Sequence, residues 1–251
     1  MINKLISYLV AMKPLFCIML ILIAVSVQVV PAHAQKGLVG GDYGVLRTRG
    51  SVFGPDTTII SFDSATIYND KYYAIYRSDE QMMYVVSNSR QVILKQPGLG
   101  SDFLFVDFND DGMKDIVVNY KSDVPDAKAL LLFDYKTENF RLVTNFDQYP
   151  EPVPITGTPF YYSYSRTGCA DFDWRSELFY IKDYEAFKSG YMVVNQCPNS
   201  QEANGIYITR LIHGEAQLLE TLPVSEFNKY PEGKWDFLQS YWTKNYKKFR
   251  K

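Results

Sequence analysis

FLFVDFNDDGMKDIVV, residues 103–118, decides how the rest of this chain is read. Two apolar runs, Phe103–Val106 and Ile116–Val118, flank a polar loop in which oxygen-bearing side chains recur. Asp107, Asn109, Asp111 and Asp115 stand at loop positions 1, 3, 5 and 9, with Gly112 at position 6. A tight loop turns such alternate side chains onto one centre, and glycine permits the sharp turn. The carbonyl of Met113 at position 7 adds another oxygen. Calcium takes about 6–8 hard oxygen ligands at about 2.3–2.6 Å and tolerates irregular geometry, whereas magnesium demands a tighter octahedron. The spacing therefore predicts one Ca2+ site formed by Asp107, Asn109, Asp111, Met113 and Asp115. It is not an EF-hand, because position 12 is Val118 where an EF-hand places glutamate. Both flanking runs read as buried strands, so the expectation is a strand–loop–strand clamp. The competing reading is an acidic surface turn without metal, since Asp, Asn and Gly are common in turns. An emptied loop would hold three aspartates close together, so calcium is expected to stabilise the fold.

Outward from this loop, the chain repeats one kind of unit. Short runs rich in β-branched and aromatic residues flank a polar turn at Tyr84–Lys95, Leu130–Val143, Leu178–Val194 and Ile206–Glu220. Each reads as a β-hairpin, with turns such as Ser87-Asn88-Ser89, Lys136 to Asn139 and His213-Gly214-Glu215. The first three begin 46 and 48 residues apart, near the period of a propeller blade, and the fourth follows after only 28. The fold expected is mainly β: a degenerate, incomplete β-propeller-like arrangement of hairpin blades. A plain β-sandwich is the alternative. Tyr149–Pro159 carries four prolines in eleven residues and reads as an exposed loop. Near the end, Trp235, Leu238, Trp242, Tyr246 and Phe249 fall at helical spacing, which predicts a short C-terminal helix over about 232–249. Its tip is basic, with Lys244, Lys247, Lys248, Arg250 and Lys251. Such a tip is usually a solvated helix end that complements the helix dipole, though it could touch anionic polymers.

Residues 1–34 read as a secretory signal peptide. Lys4 and Lys13 precede an uncharged apolar run from Leu15 to Val30, and Ala32-His33-Ala34 supplies small residues for cleavage. The run is shorter than the ~20 residues that span a bilayer, so no stable membrane anchor is expected. Residues 35–251 are long enough for a single domain with a full core. Cleavage removes Lys4 and Lys13 but no acid, so the net charge moves from −2 to −4, and nucleic acid is not an expected partner. Cys169 and Cys197 remain. An even count in an exported chain predicts one disulfide, contributing about 3 kcal/mol in the chain-entropy view.

Little in the sequence suggests catalysis. His213 is the one histidine after residue 34 and sits in a turn, so a Ser-His-Asp system or a histidine zinc site has little to draw on. No G-x-S-x-G, H-E-x-x-H or phosphate-loop pattern occurs. Glu151, Asp171, Asp173 and Glu177 could be imagined as paired acids of a glycosidase, but nothing in the sequence sets their separation.

The stretch Phe105–Val118, followed by Leu130–Val143, resembles an FG-GAP or VCBS-type repeat, the unit of integrin-like β-propellers. The resemblance likewise implies calcium on the loop residues named above. Tyr164-Ser-Arg166, Gly168-Cys169-Ala170-Asp171, Trp174 and Ser176 to Phe179 add a second likeness. Together with the loop, they resemble a group of bacterial periplasmic proteins that inhibit c-type lysozyme in a calcium-dependent way and are thought to act as immunity proteins. This implies a non-enzymatic, periplasmic or secreted protein whose partner is a lysozyme-like peptidoglycan hydrolase. The likeness covers roughly residues 100–200 and does not indicate the residues that meet the partner. Asp171-Phe172-Asp173-Trp174 looks like a second loop that has lost its glycine and is assigned no metal. The other function classes carried forward are a calcium-dependent glycan-binding or adhesion module, a carboxylate-based hydrolase, and a structural accessory protein.

Overall fold

The structure, a computed structural model, describes residues 58–119, 124–198 and 203–250. The chain divides into two units, Met1–Val45 and Leu46–Lys251. Every described residue lies in the second unit, so the signal-peptide reading at residues 1–34 falls outside them.

Three antiparallel sheets follow one another along the chain. The first is a meander of β1 (Ile59–Ile67), β2 (Asp70–Arg77), β3 (Met82–Ser87) and β4 (Val92–Pro97). The second is a meander of β5 (Phe103–Val106), β6 (Asp115–Asn119), β7 (Lys128–Asp134) and β8 (Asn139–Leu142). The third is larger. Its order is β15-β14-β13-β12-β10-β9, with β11 also paired to β12. The ranges are β9 (Val153–Pro154), β10 (Phe160–Tyr162), β11 (Ser165–Gly168), β12 (Asp173–Lys182), β13 (Glu185–Asn195), β14 (Gly205–Ile212) and β15 (Glu215–Leu222). The mainly β reading therefore holds, with a short C-terminal helix α1 (Lys234–Asn245).

The four expected hairpins are all present, but they are not four equivalent units. β3–β4 and β7–β8 are the outer halves of separate sheets, whereas β12–β13 and β14–β15 are consecutive in one sheet. That explains the short final spacing, since no new sheet has to begin between them. A further hairpin, β1–β2, escaped the sequence reading. Its register runs from Ile67↔Asp70 to Ile59↔Arg77, around a turn with Tyr68 at φ 53°. The β12–β13 turn, Asp183-Tyr184, has φ of 52° and 63°. Two consecutive left-handed residues are what a two-residue type I′ hairpin requires.

Side-chain alternation explains the stacking. In the second sheet, Ile116, Val118, Ala129, Leu131 and Phe133 share a cluster with Tyr72, Ala74, Met83 and Val85 of the first sheet. Their neighbours Val117, Leu130 and Leu132 share another with Tyr161, Phe179 and Ala186 of the third. Strands with period 2 present alternate residues to opposite faces. Both faces of the middle sheet are covered, so β6 and β7 read as unbroken apolar runs. Polar contacts join the sheets at their edges. The Phe105 N–H donates to Asp63 of β1 at 2.8 Å, and Thr144 exchanges backbone bonds with Tyr184 and Ala186 at 2.9 and 3.0 Å.

The outer face of the third sheet is closed by α1 and the turns around it. Trp174, Leu178, Met192, Val194, Ile206 and Ile208 pack with Phe237, Leu238, Tyr241, Trp242 and Phe249. Gly190 on β13 lets the chain end approach, because a Cβ there would come within 2.6 Å of the Thr209 carbonyl oxygen and enter the Phe249 ring.

Two expectations need correction. The helix ends at Asn245, and Tyr246–Phe249 continue as a tighter 3-10 turn. The buried stripe on α1 is Phe237, Leu238, Tyr241 and Trp242. Trp235 is 47% exposed, since one face of so short a helix suffices to cover the sheet. The proline-rich segment is not an exposed loop throughout. Tyr149 and Ile155 are buried, and Val153–Pro154 pairs with β10. Proline is compatible with this position because β9 is the terminal strand of its sheet.

Candidate functional site

The oxygen-rich loop joins β5 to β6, as a strand–loop–strand unit should. Asp107 accepts the N–H groups of Asp111 at 3.1 Å and Gly112 at 2.9 Å. Gly112 has φ 85°, a left-handed conformation in which a side chain would be strained. Asn109 donates to Asp111 at 2.8 Å, and Asp111 accepts the Met113 N–H at 2.8 Å. The loop is thus wound around its own carboxylates.

Asp115 is different in kind. It is fully buried at the start of β6. One carboxyl oxygen accepts the Phe108 N–H at 3.0 Å and the other the Phe133 N–H at 2.9 Å. Burial pushes its carboxyl up to about 7. The two backbone donors oppose that shift, and the charges of Asp111 and Asp107 add to it.

The donor set is all oxygen with three carboxylates, which suits a hard divalent cation. Each ionised carboxylate has about four lone-pair sites, so oxygens already accepting one N–H can still reach an ion. The loop carboxylates are not drawn to a point, however. Among the described residues, the set of three acidic or sulfur side chains whose ligand atoms lie within 4.8 Å of one another is Cys169, Asp173 and Cys197. Those two cysteines form a disulfide, and Asp173 accepts the N–H groups of Gln196 and Cys197 at 2.8 and 2.9 Å. In the oxidised protein that cluster is a structural knot.

From the loop, aromatic rings run into the third sheet. Phe108 stacks on Tyr161 at 5.1 Å, Tyr161 on Phe179 at 5.4 Å, and Phe179 on Tyr149 at 4.0 Å. The arrangement of the loop is therefore felt in the packing of the second sheet against the third.

A second constellation surrounds Asp171, which the sequence placed in a decayed loop and among the acids imagined for a glycosidase. Lys234, in the first turn of α1, donates to Asp171 at 2.5 Å and to the Tyr164 hydroxyl at 2.8 Å. The Tyr164 hydroxyl also bonds Asp171, and Arg166 lies 3.6 Å from it. Lys234 rests over the rings of Tyr164 and Trp235 at 5.1 and 4.7 Å. Burial pushes the Asp171 carboxyl up, but the Lys234 and Tyr164 hydrogen bonds and the charges of Lys234 and Arg166 together hold it below the ordinary value.

A carboxylate with a depressed folded value contributes stability above its unfolded value, near 3.8, and that stability is lost as pH falls through the folded value. Thermal melts between about pH 6 and pH 3 should therefore show the unaltered protein losing more stability in acid than Asp171→Asn does. Parallel curves would mean that this cluster contributes nothing to acid sensitivity.

The other acids considered for catalysis are accounted for differently. Glu177 is buried and lies 2.8 Å from both Arg175 and Lys188. Glu151 is exposed in a turn with φ 45°. His213 is exposed in the β14–β15 turn, as its sequence context suggested. Among the described residues, no helix is long and apolar enough to cross a membrane.

No family model matches the chain, and no curated protein does so. Among solved structures, the chain is similar to one described as a Xanthomonas type IV secretion system related protein. The two are 16% identical, the match covers 63% of this chain and 93% of that one, and the TM-score is 0.45. Likeness at that level says nothing of what this chain binds or does.

Proposed function

We propose that this chain is an exported, calcium-binding, propeller-like protein that blocks a lysozyme-like peptidoglycan hydrolase and is not itself an enzyme. The observation that carries this reading is how the polar groups are committed. Asp171, Asp173 and Glu177 are held by lysines, arginines or backbone N–H groups, which favours a rigid binder over a hydrolase built on paired acids. The apolar run at residues 15–30 and the disulfide support export. Four-stranded meanders stacked face to face support the propeller-like description. Asp107, Asn109, Asp111, Asp115 and the Met113 carbonyl would hold the calcium, which would neutralise the loop and brace β5 against β6.

Blocking would be steric. An ordered surface entering the substrate cleft excludes peptidoglycan, and prior order reduces the entropy cost of binding. The net charge of −2 on the whole chain would also steer it toward a basic enzyme. The test is lysis of peptidoglycan by a c-type lysozyme with the oxidised protein added, in calcium and in chelator. Inhibition should appear in calcium and weaken at least about tenfold in chelator, a difference of ~1.4 kcal/mol in binding. Unimpeded lysis by folded, calcium-loaded protein would sink the inhibitor reading. Trp235, 47% exposed, favours one second reading, stacking on a glycan. Retention on insoluble peptidoglycan without inhibition would point there.

A further inference from the structure

The geometry points to the tip of the β11–β12 hairpin, with Arg166 and Phe172 as its contact residues, as the surface that enters a carboxylate-lined glycosidase cleft. This rests on the inhibitor reading above and goes beyond it by assigning the residues that meet the enzyme.

The tip is held far more firmly than a surface turn needs to be. Cys169, Ala170 and Asp171 are three consecutive non-glycine residues with φ of 51°, 50° and 80°. Left-handed backbone costs such residues about 1–2 kcal/mol each and persists only where the surroundings impose it. Here they do. The disulfide ties Cys169 to Cys197. Asp171 is pinned by Lys234 from α1. Asp173 accepts the Cys197 N–H just beyond the end of β13. Chain segments 28 and 63 residues apart thus converge on one short turn.

What this framework presents is an arginine and aromatic rings. Arg166 is 74% exposed by side chain. Among the described residues it is ion-paired to Asp171, through Nε at 3.6 Å, and Asp171 is also engaged by Lys234 and Tyr164, so most of the guanidinium faces solvent. Phe172 is 54% exposed and Trp235 47%. Tyr164 and Lys234 connect Trp235 to the tip, with Trp235 4.6 Å from Tyr164, and Phe172 belongs to the tip itself. Arginine and large aromatics are the residues that dominate binding energy at interfaces, best when water is excluded around them.

The occupant follows from charge. A glycosidase cleft is built around two carboxylates that flank the scissile bond. A guanidinium matches one carboxylate with two parallel hydrogen bonds, which an ammonium cannot do. Arg166 would pair with a catalytic acid of the hydrolase while Phe172 seals the rim. Because the tip is ordered beforehand, little entropy is lost on docking.

The experiment measures inhibition of a c-type lysozyme by the full, oxidised, calcium-loaded protein and by Arg166→Ala, Arg166→Lys and Phe172→Ala. Each alanine variant should inhibit about 30-fold less well, the scale of an interface hot spot. Arg166→Lys should fall between, and melting temperatures should stay within about 2 °C of the unaltered protein. With a lysozyme whose catalytic glutamate is replaced by glutamine, the loss on Arg166→Ala should shrink, which is the signature of a direct pair. If the unaltered protein inhibits and both alanine variants inhibit equally well, this surface is wrong and the inhibitor reading stands. If the unaltered protein does not inhibit, both fall. A concentration-dependent dimer abolished by Phe172→Ala, with inhibition intact, would assign the tip to a second copy of the chain and overturn the inference.

Discussion

Excess calcium should raise the melting temperature of this protein by about 5–10 °C over the chelated form, and Asp111→Ala should abolish the increase. The magnitude follows from linkage. A ligand at 100 times its dissociation constant stabilises the form that binds it by about 2.7 kcal/mol. Each kcal/mol is worth about 2–4 °C in a domain of this size. The sign follows from the loop. Asp107 and Asp111 lie on the loop that leads into Asp115, and their charges act on its carboxyl. All three also act on the nearby Tyr161 hydroxyl. An ion drawing the carboxylates inward would relieve that repulsion and fasten β5 to β6. Because Phe108 stacks on Tyr161 and Tyr161 on Phe179, near-ultraviolet circular dichroism should change along the same titration. Magnesium at equal concentration should do much less, since it resists losing its waters. Identical melts in calcium and chelator would leave Asp107–Asp115 an acidic turn and nothing more.

Trp242→Ala should destabilise the protein by about 3–5 kcal/mol, the range for losing a buried tryptophan, and lower the melting temperature by about 6–20 °C. Trp242 is fully buried between α1 and the third sheet. Its ring meets Tyr241 and Phe249 edge-on at 5.5 and 5.2 Å. Its indole N–H donates to the Ser176 hydroxyl at 2.8 Å, and Ser176 is itself fully buried. Alanine therefore leaves a cavity and a buried hydroxyl without that donor. Trp242→Phe fills most of the space and loses only the bond, so about 1–3 kcal/mol is expected. The helix also carries Lys234, which clamps Asp171. Loosening α1 should consequently make the disulfide-bound tip more accessible to protease in the alanine variant. A melt unchanged within about 2 °C would mean that the helix contributes little to the fold.

The sequence by itself determined the parts governed by neighbours along the chain. The positions of Asp107, Asn109, Asp111 and Gly112 are local facts, and a loop of that composition winds on itself as these hydrogen bonds show. The turns at Ser87–Ser89 and His213-Gly214 were legible because hairpin turns depend on a few residues. The β1–β2 hairpin was missed because its two-residue turn, Tyr68-Asn69, puts a bulky aromatic residue at φ 53°, a conformation that residue type does not announce.

Tertiary structure alone decided the rest. Asp115 reads in sequence as one more loop oxygen, yet it is buried against the Phe133 N–H, contributed by a strand 18 residues away. Trp235 fits the helical period as well as Trp242 does, but only the face turned to Ser176 and Phe249 is covered. Asp171 meets Lys234 across 63 residues, and no local pattern anticipates that pair. Turns and strand alternation are set by short-range sterics and hydrogen bonding, so they are written in a few residues. Which faces meet, and which charges they bring together, is set by the total apolar surface the sheets and helix can bury, a property of the whole chain.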